Sequence, residues 1–257
     1  MKYRLTLLIT FFLLLSCSIF TRGKNNLNDI LKKNKSEYRY HDISGSFDLV
    51  SETGFLKKNT EFFTKSYLKD DKSNDDKPVE KRLSISKIDS IEIKKKRFQI
   101  MKPKLSMFSI WLDSKKYSNK IEYFEKERIF KVRANTGEKE VKLPGGNQVY
   151  CYFGQLVDCL ASTGLFLESG VKKGDKISFS LIWESYPYNE YIYDRAVNEL
   201  VSPATLEVEK LKSESVSNFS IEVWNQTISY EVNADGAMES MNWAVQGISI
   251  KQNNSSK

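Results

Sequence analysis

From Leu83 onward, hydrophobic and polar residues alternate with period two. In "RLSISKIDSIEI", Leu83 and Ile85 share one face, and Ile91 and Ile93 follow after a break. The stretches "MFSIWL", "KIEYFE" and "RIFKVRA" continue the alternation at hairpin spacing, and "NTGEKE" and "KLPGGNQ" supply glycine-bearing turns between strands. Further along, "KISFSLIWESYPY", "YNEYIYDRAV", "ATLEVEKL" and "FSIEVW" read the same way. The end of the chain predicts a hairpin: a strand to Val232, a turn over 233–236 containing Asp235-Gly236, and a strand from Ala237. One short helix is predicted around 155–162. Roughly ten strands with short connections predict an all-β chain with one or two short helices. A sheet dry on one face and wet on the other must curl, so a curved antiparallel sheet is expected: a half-barrel, an open barrel or a sandwich.

The first forty residues break this pattern. Lys2 and Arg4 precede an apolar run over 5–15. Eleven helical residues cover about 16 Å, roughly half a hydrocarbon core, so the run reads as a secretory leader and not a span. Leu14-Leu15-Ser16-Cys17 resembles a bacterial lipobox. The resemblance implies a signal peptide over 1–16 and a Cys17 that carries diacylglycerol, usually with a further acyl chain such as palmitate. Two or more chains anchor stably at about 0.8 kcal/mol per buried methylene. Residues 17–42 then read as a polar tether and 43–257 as a single β-rich domain. The charge-dense stretch at 65–82 is expected to be a mobile loop.

Charge changes this picture little. The net charge of +7 includes Lys2 and Arg4, so the mature chain would carry +5. A basic segment beside a lipid anchor suits anionic headgroups or simple solvation, and nucleic acid is a poor partner for a secreted, tethered protein. With Cys17 assigned to lipid, Cys151 and Cys159 form an even pair in an oxidising compartment. They are read either as a disulfide across "CYFGQLVDC" or as two small buried hydrophobes.

Aromatic residues gather in "IWESYPYNEYIYDRAV" and in the last strands. Rings with polar tips either fill a broad β core or line a groove for an amphipathic ligand. On the groove reading, Trp183, Tyr188, Tyr191 and Trp243 are the candidate wall residues, with Tyr191 and Tyr193 on one strand face and Ile192 on the other. The pattern "YEVNADGAMESMNW" resembles the last hairpin of LolA- and LolB-type lipoprotein-carrier half-barrels and related bacterial domains of unknown function. The resemblance spans about 149–251. It implies a curved sheet with an apolar concave face closed by a helix or loop, and it carries over no functional residue.

Catalytic chemistry is sparse. The single histidine, His41, lies near the tether, which leaves no zinc cluster and no easily assembled Ser-His-Asp triad, and no glycine-rich phosphate loop is present. Glu184 and Glu190 are the best acid/base pair for glycan chemistry, but salt-linked surface positions explain them better. The expectation is therefore a non-enzymatic lipoprotein without cofactor or metal. It would be anchored in the bacterial cell envelope, at the outer membrane given Ser18 after the anchor, and would bind a lipid-like ligand on its concave face. The competing expectation is an interaction lipoprotein that binds an envelope protein or glycan without a cavity. A glycan-processing enzyme ranks third.

Overall fold

The computed structural model describes residues 34–70, 78–93, 96–143, 145, 149–163, 171–194, 196–212 and 215–253. The leader and Cys17 lie outside the described residues. The chain is all-β. Its strands are β1 (Asn34–Asp42), β2 (Gly45–Leu56), β3 (Glu61–Asp70), β4 (Glu80–Ile93), β5 (Lys96–Leu112), β6 (Lys115–Phe124), β7 (Ile129–Ala134) and β8 (Gly137–Lys142). A second group follows: β9 (Tyr150–Tyr152), β10 (Lys176–Ile182), β11 (Val201–Lys212), β12 (Ser215–Val223), β13 (Gln226–Val232), β14 (Met238–Trp243) and β15 (Ile248–Gln252). Helix α1 (Leu156–Ser162) follows a 3-10 turn at Phe153–Gln155, and α2 (Asn189–Ile192) is a single turn.

All fifteen strands form one open, curved sheet in the order β8-β7-β6-β5-β4-β3-β2-β1-β15-β14-β13-β12-β11-β10-β9. Two meanders meet at the pairing of β1 with β15, where Tyr38 faces Gln252 and Tyr40 faces Ile250. Among the described residues only β9 and β10 run parallel. Local chemistry matches the sharp corners. Asp113-Ser114 and Trp224-Asn225 take positive φ at both positions, the two-residue hairpin geometry that follows strand twist. The final hairpin turns at 233–236, where Gly236 has φ 78° and its N–H donates to the Asn233 carbonyl at 2.9 Å. The register between β4 and β5 shifts after Ile85, leaving an extra residue that bends the sheet.

Three expectations are corrected. The tether expected over 17–42 includes a strand, since 34–42 is β1 at the centre of the sheet. Its alternating Tyr38 and Tyr40 point inward while Lys35, Glu37 and Arg39 face water, so its polarity belongs to one face only. The loop expected over 65–82 is strand at both ends: 65–70 belongs to β3 and 80–82 to β4, because Leu68, Glu80 and Arg82 all turn inward. Residues 71–77 lie outside the description. The described residues of "YNEYIYDRAV", 188–194 and 196–197, are not a strand. Their N–H groups bond locally, with Tyr191 donating to Tyr188 and Tyr193 to Asn189, and the buried Asn189 side chain donates to the carbonyls of Val197 and Glu199. Tyr191 and Tyr193 therefore do not share a face: Tyr191 is exposed and Tyr193 buried.

The sheet ends, β8 and β9, do not pair, so side chains close the gap. Ile121, Phe130 and Val132 of β6 and β7 pack in one cluster with Tyr152, Ile182, Tyr186, Leu200 and Val201. Across the same gap, Asn119 Nδ2 donates to the carbonyls of Glu184, at 2.6 Å, and Tyr186. Asn119 is buried, so removing its amide strands two carbonyls. Asn119→Ala is expected to cost about 2–3 kcal/mol in urea unfolding. A loss within about 0.5 kcal/mol, the range of ordinary surface changes, would show that the tie carries no load.

Candidate functional site

Strand register arranges the inward side chains of β1–β5 in rows across the sheet. Tyr38, Leu49, Leu68 and Glu80 form one row, and Ser36, Ser51, Ser66 and Arg82 the next. A third row runs Asn34, Thr53, Thr64, Ser84 and Ser106. Two rows are thus made largely of small hydroxyl residues where a β core ordinarily carries branched apolar ones. The shortfall in volume leaves a cavity of about 190 Å³ between this floor and the segment running through the 3-10 turn into α1. An apolar cavity of about 150 Å³ already admits benzene, so this one accommodates a small ring or a short alkyl chain.

The adjoining stretch of the sheet is apolar. Met238, Met241, Ile248 and Ile250 reach in from β14 and β15, with Trp243 and Tyr230 beside them. The roof is Phe153, Leu156, Val157 and Asp158, with Ile192 and Tyr193 at its side. The cavity is therefore amphipathic, with hydroxyls below and thioether, aliphatic and aromatic groups on the other sides. Thr64 Oγ1 is buried without a hydrogen-bond partner.

A buried polar seam seats the roof. Glu184 Oε1 accepts from Ser84 Oγ at 2.7 Å and from the Gly154 N–H at 2.9 Å. Gln155 Oε1 accepts from Ser86 Oγ at 2.6 Å, and its Nε2 donates to the Ser84 carbonyl at 2.8 Å. Arg82 donates to Glu80 at 2.5 Å and to the Tyr193 hydroxyl at 2.9 Å, and lies over the rings of Phe108 and Phe153. Burial opposes the Arg82 charge, but Glu80, Tyr193 and Glu184 outweigh it and hold the guanidinium well above its ordinary range. Burial pushes the Glu184 carboxyl up, while Arg82 and the Ser84 hydrogen bond pull it back. Gly154 is required here, because a Cβ would lie 2.8 Å from Glu184 Oε1.

The four candidate wall residues separate. Trp243 is fully buried and lines the cavity, with its indole N–H donating to Gln226 at 2.8 Å. Trp183 is fully buried in an aromatic cluster, stacked on Trp224 at 4.0 Å with its N–H on Ser202. Tyr188 is buried against Tyr117, and its hydroxyl donates to the Ser118 carbonyl. Tyr191 is 64% exposed. None of these last three is among the lining residues. Cys151 and Cys159 are joined by a disulfide that ties β9 to α1, with their Cα atoms 5.7 Å apart. Glu184, expected at the surface, is fully buried because it is the acceptor that the roof's N–H and Ser84 require. Glu190 is exposed, and neither carboxylate lines the cavity. Among the described residues no group of three or more His, Cys, Asp or Glu side chains is placed to hold a metal, and no helix is long and apolar enough to cross a membrane.

The floor residues Ser36, Ser51, Thr53, Thr64 and Ser66 were missed in the sequence. Their signal is faint but present: hydroxyl residues recur at every second position, in phase with the inward Tyr38, Leu49 and Leu68. Asp158 was missed as well. It stands in the first turn of α1 and lines the cavity. Burial alone pushes its carboxyl up to about 7.

No family model matches the chain, and no curated protein or solved structure matches it either.

Asp158 is expected to make stability depend on pH. Its folded pKa lies above the unfolded value of about 3.9, so between pH 4 and 7 the folded chain holds a proton that the unfolded chain has released. Stability therefore falls as pH rises through that window and levels off above it. The side chain keeps partial exposure, which limits the effect to about 1–2 kcal/mol. Asp158→Asn should exceed the parent by that amount at pH 8 and match it at pH 4 in thermal unfolding. A parallel offset at both pH values would show that the carboxyl is not held neutral. Gly154→Ala is expected to cost about 1–3 kcal/mol by crowding Glu184, measured in the same assay. An unchanged midpoint would place the roof farther from the seam.

Proposed function

We propose that this protein is a non-enzymatic, lipid-anchored β protein of the bacterial envelope that holds an amphipathic molecule between its curved sheet and α1. The observation that carries the reading is the two-sided cavity. Ser36, Ser51, Ser66 and Thr64 offer hydrogen bonds on the floor, and Met238, Met241 and Ile250 offer apolar surface beside them. Methionine suits a site that adapts to flexible chains, because its unbranched thioether repacks at little cost. A concave sheet covered by a helix is also what the resemblance to lipoprotein-carrier half-barrels implies. The lipobox-like Leu14-Leu15-Ser16-Cys17 supports the anchor. No catalytic step is assigned to Glu184, whose Oε1 is taken up by Ser84 and Gly154, whose Oε2 is buried, and which does not line the cavity.

A second reading has its own support. Tyr191 is exposed against Tyr117 and Tyr188, a ring surface that suits a protein or glycan partner. Crosslinking that depends on Tyr191, from a chain that takes up no amphiphile, would favour it.

The test fills the floor. The chain is expected to bind 1-octanol in calorimetry and to release a co-purified amphiphile on solvent extraction. Ser66→Leu places a branched side chain in the cavity and should weaken octanol at least tenfold without lowering the unfolding midpoint. A parent chain that binds no octanol and extracts clean contradicts the proposal. Intact mass of the envelope-extracted protein should show a mature chain that begins at an acylated Cys17. An unacylated start elsewhere removes the anchor.

A further inference from the structure

Asp158 stands out on the cavity lining. The residue is half-buried, burial is the cause that raises its carboxyl, and among the described residues it has no hydrogen-bond or ion-pair partner. The titratable groups that face the same space are Tyr38 and Tyr40 of β1, Glu80 and Arg82 of β4, Tyr193 after α2 and Tyr230 of β13. Arg82 is the one cation on this described lining, and it is already committed to Glu80 at 2.5 Å and to Tyr193 at 2.9 Å. Glu80 and Arg82 offset each other, which leaves Asp158 as the uncompensated charge of the cavity. An acid in the first turn of a helix gains a little from the helix dipole, but that gain falls off quickly in a helix of seven residues and does not supply a partner.

We infer that the cavity selects amphiphiles bearing a cationic amine, with Asp158 as counter-charge and the floor hydroxyls as additional acceptors. The inference deepens the ligand-binding reading and rests on it. An ammonium group carries three donors, and the cavity lining offers acceptors in the Asp158 carboxylate and the hydroxyls of Ser36, Ser51 and Ser66. A charge-assisted bond gains strength where the surroundings are partly dry. A carboxylate or phosphate headgroup meets the opposite situation, a like charge with no free cation to offset it. The near-neutral titration of Asp158 adds a pH signature, since its charge grows as pH rises toward and past about 7. Burial drives Tyr38, Tyr40, Tyr193 and Tyr230 further up and Arg82 stays charged, so none of these five supplies the change.

The experiment compares three eight-carbon probes, octylamine, 1-octanol and octanoate, by calorimetry on the purified chain. At pH 8.5 octylamine should bind about tenfold tighter than octanol, the equivalent of one pKa unit of coupling, with octanoate weakest. The advantage of the amine over the alcohol should shrink several-fold at pH 5.5, a readout on the unsubstituted chain that needs no variant. In Asp158→Asn the advantage should vanish. Equal affinity for amine and alcohol at pH 8.5, with octanol still bound, overturns the amine preference and leaves the cavity reading standing. A preference that persists in Asp158→Asn also overturns it. Binding of none of the three probes contradicts the ligand-binding reading itself, and this inference with it.

Discussion

The structure depends on how a sheet with two unpaired ends is kept curved over a helix. A strand order that ends in β8 and β9 has no ladder to close it, so the inner face has to be covered by something else. The cover is the short run from Phe153 to Ser162. It is held by hydrogen bonds that leave no other choice of seat: Glu184 takes the Gly154 N–H and the Ser84 hydroxyl, and Gln155 takes Ser86 and the Ser84 carbonyl. Groups so deeply buried are costly when unpaired, so the roof is positioned by the penalty for moving it. The Cys151–Cys159 disulfide fixes the same segment covalently.

The cavity follows from that seating together with the small residues beneath it. A bulky floor would have filled the space under α1. Serine and threonine rows leave it open and give it hydrogen-bonding capacity, while β14 and β15 bring methionine and isoleucine to the other side. The aromatic cluster serves a different purpose. Trp183, Trp224, Trp243, Phe153 and Tyr193 pack on one another, and only the Trp243, Phe153 and Tyr193 edges of that cluster reach the cavity. Trp224 adopts positive φ, an unusual conformation for a bulky residue. It is retained where stacking on Trp183 and hydrogen bonds to Ser202 and Glu199 over-determine it.

What was legible in the chain is what alternation encodes. Strands with dry and wet faces, the 233–236 hairpin and the helix after Phe153 were all readable, because each rests on local chemistry. The central strand β1 was hidden because one wet face, of Lys35, Glu37 and Arg39, made 34–42 resemble a tether, although Tyr38 and Tyr40 already alternated within it. The 183–193 segment misled in the opposite sense. Its tyrosines alternate, yet Asn189 and the local N–H bonds fold it into a turn. The site itself was nearly invisible, since a serine on an inner face and a serine on an outer face are the same letter. Only the register that aligns Ser36, Ser51 and Ser66 shows that they form a floor.

Methionine methyl NMR examines the central claim most directly, because the four described methionines divide cleanly between environments. Met238 and Met241 line the cavity, Met101 is buried in the core, and Met107 is 46% exposed. With ¹³C-methyl methionine and added 1-octanol, the account predicts intermolecular NOEs from the alkyl chain to the Met238 and Met241 methyls and none to Met107. NOEs confined to Met107, or none at all under conditions where octanol binds, would contradict it.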